Sequence, residues 1–421
     1  MKFLLYLHHN QYNMKAKRLI CVEVDNVKTG VKQSNKFYNM TEVGDGNFKV
    51  EYGRVGNKVT SRIYPMSMWD SQLRKKLKKY EDITHLHNEE VTVQRKDTGI
   101  SNATIAKLFG DLQNYAGKTV SENYRISANS VTQKMLDKAQ EIIDTINKNL
   151  SKNSNVEQVN NQLLELYKTI PRKMNNVKKY LVNSLVAEYE IKSASKMLKN
   201  EQDTLDTMVG QVLLHEATES TDPEKHEDIL EKLGLNIEVA NPAEHKDIEK
   251  SLGQNAHRLI KAYKVVNTKT TSLFKDNLKK SKNKSTDMFF HGSRNQNWFN
   301  ILQTGLLIRP SGAIHTGSMF GDGLYGANKA QKAIGYSSMR GSYWTGGNDN
   351  KGFIGIFEFH TGKQKKLKRH DSSCYSLSRQ KLTKEGYDSV FAMGGIDLRN
   401  DEFIVYDKSQ CTIRYILEMK N

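Results

Sequence analysis

The chain has 421 residues, with 64 Lys and Arg against 47 Asp and Glu, for a formal net charge of +17. At roughly 100–200 residues per domain, this length implies two to four domains. No run of roughly 18 apolar residues occurs, which excludes a spanning helix and a membrane partner. The basic excess points to a polyanion, above all nucleic acid, and a Lys-rich surface kept for solubility is the competing explanation. The excess is unevenly placed: residues 1–90 carry 16 Lys and Arg against 10 Asp and Glu, and residues 281–421 carry 20 against 12, leaving the middle nearly neutral. Cys21, Cys374 and Cys411 are too scattered for a disulfide framework or a zinc site, so a reducing intracellular compartment is expected. The apolar stretch within Met1 to Leu7 is too short for a signal peptide.

Residues 15–85 read as β-rich. Short β-branched and aromatic runs, Leu19 to Val24, Phe37 to Met40, Phe48 to Tyr52 and Val59 to Tyr64, are separated by turn signals such as Gly44-Asp45-Gly46-Asn47. Met68 to Tyr80 follows with Trp69, Leu73 and Leu77 on one helical face and Lys and Arg on the other. Residues 86–102 are polar and linker-like, and residues 103–215 read as helical. Ser130 is a candidate N-cap ahead of Leu136, Ala139, Ile143, Ile146 and Leu150. A second series, Val156, Val159, Leu163, Tyr167 and Ile170, stops at Pro171. A third covers Val177, Leu181 and Leu185. The expectation is a bundle with one buried stripe per helix. Residues 216–226 are charged and contain Pro223, marking a boundary, and helix is expected again over Ala243 to Val266. The run from Asp276 to Ser285 is polar and basic.

From Met288 the texture becomes α/β. Phe353 to Phe359 is almost continuously apolar, as for a strand covered on both faces. Residues 411–419 alternate, with Cys411, Ile413, Tyr415, Leu417 and Met419 on one face, as for a half-buried strand. Glu402 heads the strand-like Glu402-Phe403-Ile404-Val405-Tyr406, and His291 follows Met288-Phe289-Phe290 and precedes Gly292-Ser293. Each alone is most often an ordinary strand-end residue. Gly321-Asp322-Gly323-Leu324-Tyr325-Gly326 spells GxGxxG, yet no buried strand precedes it and no βαβ unit follows, so a dinucleotide-binding Rossmann unit is rejected.

The order of these segments is more informative than any one of them. His291-Gly292-Ser293, then Ile301 to Leu306, the Gly-rich residues 317–327, Tyr336, Gly386-Tyr387-Asp388-Ser389-Val390 and Glu402 to Asp407 resemble the His–Tyr–Glu signature of the poly(ADP-ribose) polymerase family over about residues 230–421. Asn35-Lys36-Phe37-Tyr38 with Tyr52-Gly53-Arg54-Val55-Gly56 resembles a WGR domain, Tyr52 standing where the name-giving Trp would be. The stretch Leu164 to Pro171 resembles the family's helical regulatory domain. The chain looks like a compact member without zinc fingers.

The resemblance implies an α+β multidomain protein: a WGR DNA-binding domain over 15–90, an all-α regulatory bundle over 98–215, and an ADP-ribosyltransferase domain with a split antiparallel sheet over 225–421. It implies NAD+ as substrate and no metal. Cleaving the nicotinamide–ribose bond builds positive charge on the ribose, which a carboxylate can stabilise. His291, Tyr325 and Glu402 take the catalytic positions. His291, Gly292, Ser293, Arg309, Tyr325 and Tyr336 are implied NAD contacts, with the two tyrosines flanking the nicotinamide ring, and His315 is a further candidate near the adenosine or pyrophosphate. Ala333 replaces a serine common in the family. Tyr52, Arg54 and Lys36 are candidate DNA contacts, with Lys58, Arg62 and the basic helix 74–79 as further phosphate neighbours. The implied partners are DNA with strand breaks, NAD+ and protein acceptors including the chain itself, in a nucleus, or in the cytoplasm or nucleoid of a host without one. The segment Met393 to Asp401 is shorter than the acceptor-side loop of polymer-forming relatives, which keeps mono- or oligo-ADP-ribosylation open. A DNA-end sensor with little turnover is the rival of a different class.

Overall fold

The computed structural model describes residues 15–25, 32–55, 57–86, 98–150, 154–219, 228–308 and 319–421. Strands β1 (Ala16–Asp25), β2 (Lys32–Gly44), β3 (Asn47–Arg54), β4 (Thr60–Pro65) and β5 (Glu81–Asp82) form an antiparallel sheet of order β4-β3-β2-β1-β5. The β2–β3 hairpin turns through Gly44, Asp45 and Gly46 at φ 86°, 50° and 68°, a left-handed run that needs the glycines. Helix α1 (Trp69–Leu77) covers one face, with Trp69 buried among Leu19, Tyr38, Met40, Phe48 and Val50. From the opposite face, Ile20 and Val22 enter the core of the helical region.

That region comprises α2 (Ala103–Asn123), α3 (Gln133–Asn149), α4 (Val156–Thr169) and α5 (Glu188–Glu219). The stripes expected on α3 and α4 are buried, and α4 ends before Pro171. The cap of α3 differs from expectation. Thr132 accepts the Met135 N–H, while Ser130 closes a preceding 3-10 turn. The third series is not a helix. Val177–Tyr180 is a 3-10 turn and the chain then runs extended. The buried Asn160 amide holds it there, exchanging two 2.8 Å hydrogen bonds with the Val182 backbone as a neighbouring strand would. Nor is the bundle self-contained. Ile105, Leu108, Phe109, Leu112 and Ala116 of α2 pack into the C-terminal core with Trp298 and Phe299, whereas Val120 and Tyr124 belong to the helical core.

The C-terminal part contains α6 (Ile229–Lys232), β6 (Leu235–Val239), α7 (Pro242–Leu252), β7 (Leu259–Asn267), α8 (Thr268–Lys280), β8 (Thr286–Gly292) and α9 (Trp298–Thr304). It continues through β9 (Leu324–Gly326), α10 (Ala330–Ile334), β10 (Lys351–His360), β11 (Gln364–Leu367), α11 (Arg379–Lys384), β12 (Ser389–Ala392), β13 (Glu402–Val405) and β14 (Cys411–Lys420). One sheet, β6-β7-β14-β10-β8, is antiparallel throughout. The other, β11-β12-β13-β9, has one parallel pair, β11 with β12. They join where Phe290 and Ala327 exchange backbone hydrogen bonds of 2.8 and 2.9 Å.

Two expectations fail here. Helix does not continue to Val266: α7 stops at Gly253, φ 55°, and the β-branched residues beyond it form β7 between β6 and β14. β14 is not half-buried either, because α8 and β10 cover its polar side. Thr412 is 1% exposed, 2.9 Å from the Thr270 hydroxyl, and Glu418 is 8% exposed, accepting from Tyr263 and pairing with Lys351. β10 is buried as its composition implied.

Candidate active site

The junction of the two sheets gathers the singled-out residues. β8 ends at His291 and Gly292 beside β9, and the His291 Nδ1 lies 3.0 Å from the Tyr325 carbonyl. A carbonyl only accepts, so Nδ1 carries the hydrogen and Nε2 is left as an acceptor. Burial depresses the His291 pKa, and the Lys199 charge adds to this against the opposing hydrogen bond to Tyr325, which keeps the ring neutral. Gly292 is required by packing. A Cβ there would lie 1.8 Å from the Ala333 carbonyl oxygen, so α10 rests directly on the backbone of β8. Ser293 accepts from Asn297 through its hydroxyl and from Trp298 through its carbonyl, pinning the turn into α9.

The glycines around Tyr325 have structural causes. Gly321 adopts φ 82°. A Cβ on Gly323 would meet the Ile404 side chain at 2.5 Å, and one on Gly326 would meet Phe289 at 2.6 Å. This apparent GxGxxG therefore lets β9 lie close to β13 and β8. The Tyr325 hydroxyl donates to the Gly321 carbonyl at 2.8 Å and accepts the Phe320 N–H at 3.1 Å. Its ring joins the small core of Phe320, Leu382, Val390 and Ile404.

Glu402 heads β13, and the register Ile404–Tyr325 holds it close to β9. Its carboxylate is ion-paired through Oε1 with the Lys332 ammonium of α10, and each side chain is 13% exposed. Next to it, Asp401 accepts from Gly394 N and Asn328 Nδ2, fixing the loop from Met393 to Asp401. Tyr336 follows α10, and burial, then the Glu402 charge, pushes its pKa up to about 12. Burial raises the Tyr325 pKa as well, with smaller contributions from Glu402 and Tyr336. His291, Gly292, Tyr325, Tyr336 and Glu402 thus converge on one site. A neutral imidazole acceptor, an aromatic wall and a carboxylate lie around the Gly292 backbone, on which α10 packs directly. These residues fit a nicotinamide ribonucleoside. Arg309 and His315 lie outside the described residues.

Residues not singled out in the sequence complete the site. Lys332 could have been suspected, since it lies four residues before Tyr336 in the short segment that follows the Gly-rich turn. Lys199 and Asp203 of α5 carry no local signal. The exposed Lys199 is close enough for its charge to lower the His291 pKa slightly, and Asp203 feels the charges of Lys199, Asp206 and Arg294 while burial pushes its pKa up to about 6. Further along α5, Gly210 brings the helix against α9. A Cβ there would sit 3.1 Å from the Asn300 Cα, and the Gly210 carbonyl accepts from the buried Gln303. The long helix therefore lies beside one wall of the site.

Lys36, Tyr52 and Arg54 come together in the N-terminal sheet, apart from the strands of the candidate site. Lys36 pairs with Arg54 and Tyr38 with Tyr52 across β2 and β3, and the two tyrosine rings are 5.8 Å apart. Lys76 of α1 sits 4.2 Å from the Tyr38 ring centroid. Among the described residues, no group of three His, Cys, Asp or Glu side chains could hold a metal ion, and no helix is long and apolar enough to cross a membrane.

Comparison with known proteins bears on the family of the chain. The profile of the poly(ADP-ribose) polymerase catalytic domain matches residues 242–421. A putative poly(ADP-ribose) polymerase-like protein, 100L, of Invertebrate iridescent virus 6 is 31% identical over 169 residues, covering 39% of this chain and 88% of that protein. The uncharacterized protein 101L of the same virus is 31% identical over 180 residues, 42% of this chain and 73% of that protein. Poly(ADP-ribose) polymerase 1 of Gallus gallus is 25% identical over 322 residues, 69% of this chain but 30% of that protein. The chain belongs to the poly(ADP-ribose) polymerase family and is an NAD+ ADP-ribosyltransferase.

Proposed function

We propose that this transferase is switched on by DNA strand breaks and modifies protein acceptors, itself included, with elongation to poly(ADP-ribose). The observation that carries the regulated part is the position of α5. This helix packs Gly210 on α9, which follows directly from the turn after His291 and Gly292, and that packing is the route by which movement of the helical region would reach the NAD+ site. The N-terminal sheet is mechanically coupled to the same region. Asn35 donates to the Arg172 carbonyl at 3.0 Å, Lys168 pairs with Glu81 at 3.0 Å, and Arg125 lies 4.8 Å from the Phe37 ring centroid. A cationic face holding Lys36, Tyr52 and Arg54 suits a phosphate-flanked DNA end. The span of similarity to chicken poly(ADP-ribose) polymerase 1 is longer than the matched catalytic domain, which supports a family-like role for part of the chain ahead of it. Nuclear action, or action on the nucleoid, follows from a DNA-borne signal.

At the site, the neutral His291 accepts a ribose hydroxyl at Nε2, the Gly292 backbone meets the carboxamide, and Tyr336 lies along the nicotinamide ring. Glu402 stabilises the positive charge that develops on the ribose as the nicotinamide leaves, and polarises the incoming hydroxyl. Labelled-NAD+ incorporation with and without nicked, 5′-phosphorylated DNA tests the proposal. Equal incorporation in both would refute DNA control. A second reading, mono- or oligo-ADP-ribosylation, draws on the short loop from Met393 to Asp401, tied by Gly394 N to Asp401 and by Gly395 N to the Leu398 carbonyl at 2.7 Å. Gel mobility of the product separates the two.

A further inference from the structure

Beyond Tyr336, aromatic rings continue to the surface. The Trp344 ring is stacked on Tyr336 at 5.7 Å and 16°, and Tyr343 meets Trp344 edge-on at 4.7 Å. Exposure rises along the series, from the partly buried Tyr336 to Trp344 at 58% and Tyr343 at 79%. The other two tryptophans, Trp69 and Trp298, are 1% and 0% exposed. An indole and a phenol left in water, stacked outward from a tyrosine that feels the Glu402 charge, are poorly explained as packing residues.

The loop that presents them is held rigidly. The buried Ser337 and Ser342 hydroxyls both donate to the Ile334 carbonyl, and Thr345 donates to the Ser337 carbonyl. Trp344 N donates to the Gly335 carbonyl at 3.0 Å, and Arg340 and Asp349 tie the loop ends together, Arg340 N reaching the Asp349 carbonyl at 2.9 Å. Gly335 leaves room for the indole, since a Cβ there would lie 3.3 Å from Trp344 Cδ1. A platform fixed in advance loses little freedom on binding. Its neighbours are polar or small, namely Ser338, Gly341, Thr345, Gly346 and Asn348, with the exposed Arg340 four residues before Trp344. Two exposed aromatic rings and an exposed guanidinium on one short loop suit a planar base and its phosphate better than an apolar protein face. The Arg340 Nη2 donates to Asn350 Oδ1 at 3.1 Å, and its other donors remain for a phosphate. The net charge of +17 favours a polyanion.

We propose that Tyr343 and Trp344 stack the bases of a single-stranded nucleic acid, with Arg340 meeting the adjoining phosphate. The site is distinct from the cationic face of the N-terminal sheet. Resting on the reading of Glu402 and Tyr336 given above, it brings a nucleic-acid strand to the mouth of the transferase site, as an acceptor or as a strand held during transfer.

Trp344 is itself the probe. In the full-length chain a short oligothymidine titrated into solution should quench the exposed indole emission saturably, with little effect on the two buried indoles. Tyr343→Ala should weaken the affinity read this way by roughly tenfold, the scale of losing one stacking partner. Arg54→Ala, in the other basic face, should leave it unaltered. Binding of the oligonucleotide with no change in Trp344 emission would overturn the proposal. So would an unchanged affinity in Tyr343→Ala, or quenching by free ADP-ribose or an acidic peptide but not by the oligonucleotide. Competition between benzamide and NAD+ in the same preparation reads the catalytic pocket separately, so failure there with quenching intact strikes the active-site reading alone.

Discussion

The Lys332 ammonium and the Glu402 carboxylate form an ion pair between α10 and β13, although they stand 70 residues apart in the chain. The pair fixes one carboxylate oxygen and leaves the other free to face a substrate. It also couples the head of β13 to the helix that rests on Gly292 and leads to Tyr336. The carboxylate and the cradle are therefore positioned by one short element.

Removing the charge of Glu402 tests its role. Glu402→Gln should lower ADP-ribose transfer by at least about 100-fold, the scale of losing one transition-state stabiliser, while benzamide binding persists. Lys332→Met should lower kcat by roughly tenfold with a smaller change in KM, because it releases the carboxylate rather than the donor. Nicotinamide release gives both constants. Near-normal kcat in Glu402→Gln would take that residue out of the mechanism.

The carboxamide cradle makes a prediction in the opposite direction. Ala333 is buried and its carbonyl touches the position of a Gly292 Cβ. Ala333→Ser should add a hydrogen bond to the carboxamide and tighten benzamide by about 0.5–1.5 kcal/mol. Gly292→Ala should displace α10 and abolish binding, and Tyr336→Ala should weaken it by roughly 0.5–1.5 kcal/mol beyond the lost area. Titration calorimetry decides. Unchanged affinity in all three would place the nicotinamide elsewhere.

Two shifted titrations, at half-buried residues, should appear as opposite pH slopes. His291 is depressed below its ordinary value of about 6.5. The unfolded chain thus binds the proton first, and the stability contributed by His291 is present above about pH 6.5 and lost as the pH falls through the folded-state value. Asp203 is raised to about 6. Its contribution is present below about pH 4, the unfolded value, and is lost as the pH rises through 6. Asp203→Asn should accordingly raise the unfolding midpoint at pH 8 and have little effect at pH 4. A midpoint gain of equal size at both pH values would show that Asp203 titrates normally.

Control by DNA predicts two variants that pull apart. Arg54→Ala should blunt activation by nicked DNA and leave basal turnover in place, and the wild-type response should fall steeply with salt because phosphate contacts release counterions. Leu205→Ala opens a cavity beneath α5, where Leu205 is 2% exposed, at a cost of about 2–5 kcal/mol. It should raise basal turnover and shrink the DNA response, because a cover that is open more often taxes NAD+ affinity less. A folded Leu205→Ala chain with lower basal turnover would make the helices a support rather than a restraint. Deleting the whole region is a poorer test, since α2 buries Phe109 and Leu112 against the transferase core.

The sequence by itself determined the texture of each segment and the identity of the reactive groups. The short aromatic and β-branched run at Phe48–Tyr52, the apolar run in β10, the stripes of α3 and α4 and the Pro171 stop are local patterns, and short-range geometry obeys them. The order of His291, Tyr325 and Glu402 was legible for the same reason, because it is written along one chain. Where local pattern misled, a distant partner decided. Asn160 holds residues 181–182 extended, β6 and β14 turn the end of the expected helix into β7, and α8 with β10 buries the polar side of β14. The pairing of Lys332 with Glu402, the packing of α5 on α9, and the stacking of Trp344 on Tyr336 were settled only in three dimensions. Such contacts depend on how sheets and helices close upon each other, and no periodicity within a single element records which surface will meet it.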